Sequence, residues 1–156
     1  MVEPIPAAYP GVTPYLIVRG AARALDFYAK AFGAKELARF PAPDGKIAHA
    51  EIRIGDGVCM LADELPEQGY RSPDTLGGSS VSLLFYVTDV DALFARATGA
   101  GGVVQRPPQD QFYGDRTGTL EDPFGHRWFI ATHVEDVSRE EMRLRMAAME
   151  SGGPSG

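Results

Sequence analysis

Apolar and polar positions along this chain form one series that is written twice. VTPYLIV reads as a strand and leads into AARALDFYAKAF, where Leu25, Tyr28 and Phe32 recur at i, i+3 and i+7 as a single helical stripe. Gly33 closes that helix, because glycine tolerates positive φ. Strands are predicted over 36–40, 46–54 and 58–62, separated by the turn Ala42-Pro43-Asp44-Gly45 and the hairpin Gly55-Asp56-Gly57. The second half repeats the order. SVSLLFYV leads into DVDALFARAT, with Asp89 as N-cap, Val90, Leu93, Phe94 and Ala97 as the buried stripe, and a stop at Gly99-Ala100. Strands follow at 102–105, ended by Pro107-Pro108, then at 118–121 and 126–132. Asp122-Pro123-Phe124-Gly125 has the residue order of a type I turn. A last helix, SREEMRLRMAAM, opens on a capping box of Ser138 and Glu141 and a staple of Val137 on Met142. Its Met142, Met146 and Met149 stripe is a packing face for its own sheet or a partner subunit.

Each half is too small to bury its own sheet face, so the two must pair. The predicted fold is α+β: two βαβββ modules, 12–63 and 80–133, joining in one domain over 12–136 as an open, cup-shaped mixed sheet. An irregular arm, 1–11, carries Pro4, Pro6 and Pro10 and precedes them. The helix over 137–150 and a tail over 151–156, expected to be disordered, follow. The bridge over 64–79 has no usable period, as expected of a lid or an exchange segment.

Composition narrows the function classes. A net charge of −6 without a basic run argues against a nucleic-acid surface. The one cysteine, Cys59, cannot form an internal disulfide, which fits a reducing cytosol. In its strand it reads as a small buried hydrophobe rather than a nucleophile. MVEPIPAAYPG is not a signal peptide, and no run approaches the ~18 apolar residues that span a bilayer. A cytoplasmic protein without a membrane partner is expected. No G-x-S-x-G, Walker A or dinucleotide fingerprint supports a hydrolase, nucleotidase or dehydrogenase.

The repeated pattern, ALDFY on the first helix and EDPFGHRW at the last hairpin resemble the glyoxalase/bleomycin-resistance family of the vicinal oxygen chelate superfamily, its PhnB-like branch above all. Four stretches carry the resemblance: TPYLIVRGAARALDFYAKAFGA, HAEIRIGDGVCMLADE, QFYGDRTGTLEDPFGHRWFIATH and EDVS. It implies a two-module cup, often dimeric, and either metal-dependent lyase, isomerase or dioxygenase chemistry or non-catalytic drug binding. Carried over by register, the family's metal positions fall at Thr13, Ser82, Phe129 and within Val58–Leu61. Phenylalanine has no donor atom and lone hydroxyls are poor ligands, so no cofactor is expected from that quartet. An unusual divalent-metal set would need His49 and Glu51, which share a sheet face at i and i+2, joined by His126 or His133.

Alternation assigns the cup lining. Thr13, Tyr15 and Ile17 face inward from the first strand; Ser82, Leu84 and Tyr86 from the fifth; Arg127, Phe129 and Ala131 from the last. Trp128 and Ile130 pack toward the helices. Such a lining suits a small, mostly apolar or aromatic molecule oriented by a few hydrogen bonds. In the QFYGDR loop, Phe112 and Tyr113 either cover a ligand or pin the loop, and Arg116 either pairs with Asp115 or reaches an anionic group. The expected function is small-molecule binding by a homodimer that lacks the usual metal quartet. The alternatives are an enzyme using an unusual metal or His49 as acid/base with Glu51, and a dimeric scaffold whose cup is filled.

Overall fold

The computed structural model describes residues 1–152, so the last four positions of the predicted tail lie outside the described residues. The first module comprises β1 (Tyr15–Val18), α1 (Ala21–Phe32), β2 (Lys35–Pro41), β3 (Ile47–Ile54) and β4 (Gly57–Asp63). A short helix, α2 (Pro73–Leu76), lies in the bridge. The second module comprises β5 (Ser82–Tyr86), α3 (Val90–Ala100), β6 (Val103–Asp110), β7 (Asp115–Glu121) and β8 (Arg127–His133), and α4 (Arg139–Ser151) follows. The two sheets run β1-β4-β3-β2 and β5-β8-β7-β6. Each first strand lies parallel to its module's last strand, and the other pairings are antiparallel. The architecture is the expected α+β pair of βαβββ modules, with open sheets.

Helix α1 forms because its apolar stripe is unbroken, and Gly33 ends it at φ 67° with its N–H on the Ala29 carbonyl. Helix α3 runs through Gly99 and ends at Gly101, later than the Gly99 stop predicted, since only Gly101 takes the left-handed conformation (φ 119°). The same role is filled twice at the helix starts. Asp63, at the end of β4, accepts the N–H groups of Gly20 and Ala21; Thr132, in β8, accepts that of Val90.

Two strands extend by three residues or more past a predicted end. β6 continues past Pro107-Pro108 because it is an edge strand with register shifts on either side of Arg106, where missing donors are tolerated. β7 begins at Asp115, which pairs with His133, so DRT belongs to a strand and only Gln111–Gly114 forms the turn.

The core lies between the sheets, where α1 packs on α3 and on the inner face of the second sheet. Phe32 meets Trp128 at 4.8 Å between ring centroids and Phe85 at 5.2 Å, and Tyr28 meets Trp128 at 5.6 Å. Inside this aromatic cluster sits Asp122, only 3% exposed. Its carboxylate accepts Tyr28 Oη at 2.6 Å, Trp128 Nε1 at 2.9 Å, and the backbone N–H groups of Phe124 and His126. Burial, then the neighbouring Asp122 charge, pushes the Tyr28 phenol well above its ordinary range, so it stays a donor. One buried charge thus shapes the β7–β8 turn and ties it to α1 of the other module. Arg96 adds a second link from α3, donating to the carbonyls of Lys30 and Ala29 at the end of α1.

Removing one partner of a buried charged network costs far more than a surface change. Asp122→Ala should therefore destabilise the fold by about 3 kcal/mol or more, and Tyr28→Phe by about 1–2 kcal/mol, in urea unfolding. Equal, sub-kcal losses in both variants would contradict this account of module pairing.

Candidate functional site

With the helices between the sheets, the opposite sheet faces are free. In β3, Ala50, Ile52 and Ile54 are buried, which turns His49 and Glu51 outward. Tyr15, opening β1, lies on the same outward face. Its hydroxyl is 2.7 Å from His49 Nδ1, and His49 Nε2 is 3.0 Å from Glu51 Oε1. Tyr9, from the arm, donates its hydroxyl to Glu51 Oε2. The Tyr9 hydrogen bond, then that of His49, holds the Glu51 carboxyl below its usual range. Burial raises the Tyr15 phenol, so it stays protonated. The imidazole is thus fixed at both nitrogens, with a carboxylate on one side and a phenol on the other.

Beside Tyr15 opens a cavity of about 560 Å³, lined by Tyr15, Ile17, Ala48, Ala62, Asp63, Leu65 and Tyr70. Its walls are mostly apolar, with Tyr15 joining them to the polar triad. The bridge supplies Leu65 and Tyr70, whose backbones bond each other on either side of a 3-10 turn at Pro66–Gln68. The bridge is therefore not patternless. Glu64 binds it down, accepting Thr75 Oγ1 at 2.6 Å, the Ser72 N–H at 2.9 Å and Arg19 Nε at 3.0 Å. These signals are non-local donors to one carboxylate, which explains why periodicity missed the bridge.

The second module carries a related set. Tyr86 donates to Asp115 Oδ2 at 2.7 Å, and His133 sits between Asp115 Oδ1 at 2.8 Å and Asp136 Oδ1 at 2.9 Å. The Asp136 and Asp115 hydrogen bonds raise the His133 pKa. Residue spacing offers Asp115 only as a partner for Arg116 in a loop and gives no signal for Asp136, which lies beyond the last strand. Thr117, on the same face as Asp115, keeps a buried hydroxyl without a partner.

The other expected residues are dispersed. Thr13 precedes β1 and lines a separate cavity of about 370 Å³ between the arm, β4 and β5. Ser82 and Phe129 lie on the outward face of the second sheet, paired with Arg127 and Leu84 respectively. Tyr86 also faces outward there, away from the triad of Tyr15. Tyr113 stacks edge-on with Phe112 at 5.3 Å, and Arg145 from α4 donates to the Phe112 carbonyl, so the turn is pinned. The Arg116–Asp115 pairing does not form. Arg116 points to the helix side, where Asp91 accepts from its Nε at 2.7 Å and Nη2 at 3.0 Å, and Asp110 accepts from Nη1. The guanidinium is thus satisfied within the chain, by Asp91 of α3 and Asp110 of β6. Cys59 is buried, and burial raises its thiol pKa.

The donor sets do not fit a divalent ion. Phe129 has no ligating atom, Thr13 and Ser82 offer hydroxyls alone, and β4 turns Met60 outward beside Glu51. His126 Nε2 donates to the Ile17 carbonyl, 3.0 Å away, and His133 is held in the second module, so neither joins His49. Among the described residues no three His, Cys, Asp or Glu side chains converge as a metal site requires.

Two βαβββ modules joined through their helices, with open outer sheet faces, make a two-module α+β protein. The model of the Glyoxalase/Bleomycin resistance protein/Dioxygenase superfamily matches residues 11–130, and the chain belongs to that superfamily. It is 45% identical to the uncharacterized protein Mb0911c of Mycobacterium bovis over 146 residues, 92% of this chain and 96% of the relative. Among solved structures it is similar to TioX from Micromonospora sp. ML1, at a TM-score of 0.63 and 29% identity over 82% of this chain and 99% of that one. The PhnB protein from Bacillus cereus shares the fold, at a TM-score of 0.61 and 19% identity over 78% of this chain and 98% of that one. Among the described residues no helix is long and apolar enough to cross a membrane.

The Glu64 anchor makes the bridge acid-sensitive. Its pKa is lowered to about 2, by Thr75 first, then by the Ser72 N–H and Arg19. A depressed folded-state pKa gives stability that is present above the unfolded value and is lost as pH falls through the folded one. The stability advantage of wild type over Glu64→Gln should be full at pH 7 and fade between about pH 5 and pH 2 in denaturant titrations. A difference independent of pH would contradict the anchor.

Proposed function

We propose that this protein binds a small, mostly apolar or aromatic molecule on the outward face of its first module, with the Tyr15–His49–Glu51 triad holding the ligand's polar group. The observation that carries the reading is Tyr15, which lines a mostly apolar cavity of about 560 Å³ and whose hydroxyl meets the imidazole of His49, itself held by Glu51. Binding needs none of the family's metal quartet, whose positions here hold Thr13, Ser82 and Phe129. The protein's role in the cytoplasm is to sequester or sense such a compound.

Two further elements belong to the reading. Phe40, Leu84 and Tyr86 stand exposed on the sheets, and Leu144, Met146 and Met149 on α4. Apolar surface of this extent favours a second copy, and a homodimer would cover it. Sedimentation equilibrium should give twice the chain mass at micromolar concentration; a monomer at all concentrations would remove the dimer from the account. The alternative reading is metal-free acid/base chemistry at His49. It is favoured by the Tyr15 and Glu51 contacts on its two nitrogens, which fix a tautomer as a general base requires.

Thermal denaturation with a panel of hydroxylated and plain aromatic compounds tests the main reading. At least one should raise the melting temperature of wild type, with little or no rise for His49→Ala or Tyr15→Ala. Shifts that are equal in wild type and both variants would place binding elsewhere. Turnover of a bound compound, lost in His49→Ala with affinity retained, would establish the acid/base alternative instead.

A further inference from the structure

The arm over 1–11 has three prolines and no helix or strand, yet it is held at one point. Among the described residues, the Tyr9 hydroxyl on Glu51 Oε2 is the hydrogen bond that joins this arm to the body; the Tyr9 N–H turns back to Pro6 within the arm. Glu51 is the acidic member of the triad, and its other oxygen is taken by His49 at 3.0 Å. A phenol carried by the chain itself therefore occupies the one carboxylate oxygen that the triad leaves free. Pro10 and Gly11, just beyond, line the neighbouring cavity with Thr13 and Val12. The arm has few other attachments, so releasing Tyr9 breaks one hydrogen bond and disturbs no strand.

We propose that Tyr9 is a resident plug of the triad and that the natural ligand is a phenol or another hydroxyarene, which displaces it. The proposal rests on the reading of this sheet face as a ligand site and adds the ligand's chemical class. A hydroxyarene donates its O–H to Glu51 as Tyr9 does, and its ring covers the apolar surface beside Tyr15. A carboxylate ligand cannot make that contact, because it brings no proton to the carboxylate of Glu51, which only accepts. The plug also sets affinity. Ligand binds only the fraction of molecules with Tyr9 released, so the apparent dissociation constant exceeds the intrinsic one by the inverse of that fraction.

Tyr9→Phe keeps the ring and removes the competing hydroxyl. Fluorescence titration of 2-naphthol into the full chain should give a dissociation constant about tenfold lower for Tyr9→Phe than for wild type, the equivalent of one net hydrogen bond. Naphthalene, which has no hydroxyl to offer Glu51, should bind both proteins alike. Equal or weaker 2-naphthol binding by Tyr9→Phe overturns the plug while leaving the ligand site standing. A gain for naphthalene as large as that for 2-naphthol overturns the hydroxyarene assignment. Binding of neither compound to either protein contradicts the site itself.

Discussion

The carboxylate of Asp122 is the constraint on which the rest of the molecule depends. It lies within an aromatic cluster where an unpaired charge would be prohibitive, and four donors from two modules satisfy it. Two of these donors close the β7–β8 turn, and the other two come from aromatic side chains of α1 and β8. Turn geometry and module pairing are thereby one event. Because the pairing uses the helices and the inner sheet faces, each sheet must keep its other face outward. The open faces follow from the buried charge.

What the outward faces carry also follows from alternation. A strand that buries Ala50, Ile52 and Ile54 must present His49 and Glu51, and a strand that buries Leu16 and Val18 must present Tyr15 and Ile17. The helix-start contacts of Asp63 and Thr132 show the duplication preserved where it serves the fold. The polar sets differ between modules: His49 is bonded to a phenol and a carboxylate, His133 to two carboxylates. The scaffold is repeated and the chemistry on it is not.

Much of this was legible in the sequence, because helical stripes, glycine stops and period-two strands are local. Helix α1 and the Asp122 turn are read directly from residue spacing. The shared face of His49 and Glu51 needs only the register of one strand. What escaped is non-local or breaks a local rule. Pro107-Pro108 signals a strand end, yet β6 continues through it because it lies at a sheet edge. Spacing leaves Arg116 to Asp115 or to a ligand, but the strand that begins at Asp115 sends successive side chains to opposite faces, and Asp91 on α3 takes the guanidinium. Tyr9 reaches Glu51 across 42 positions, a contact with no sequence signature. The cup lining drawn as one surface is divided, since Tyr15 and Tyr86 belong to separate sheets.

On the proposed function, the first module's outward face, and not the junction between modules, receives the ligand. Backbone amide NMR during titration with 2-naphthol tests it most directly. The account predicts saturable shifts clustered at Tyr15, Ala48, His49, Glu51, Ala62 and Tyr70, with Tyr9 moving in step. Shifts centred on Thr13, Leu84 and Trp128, or none that saturate, would contradict it.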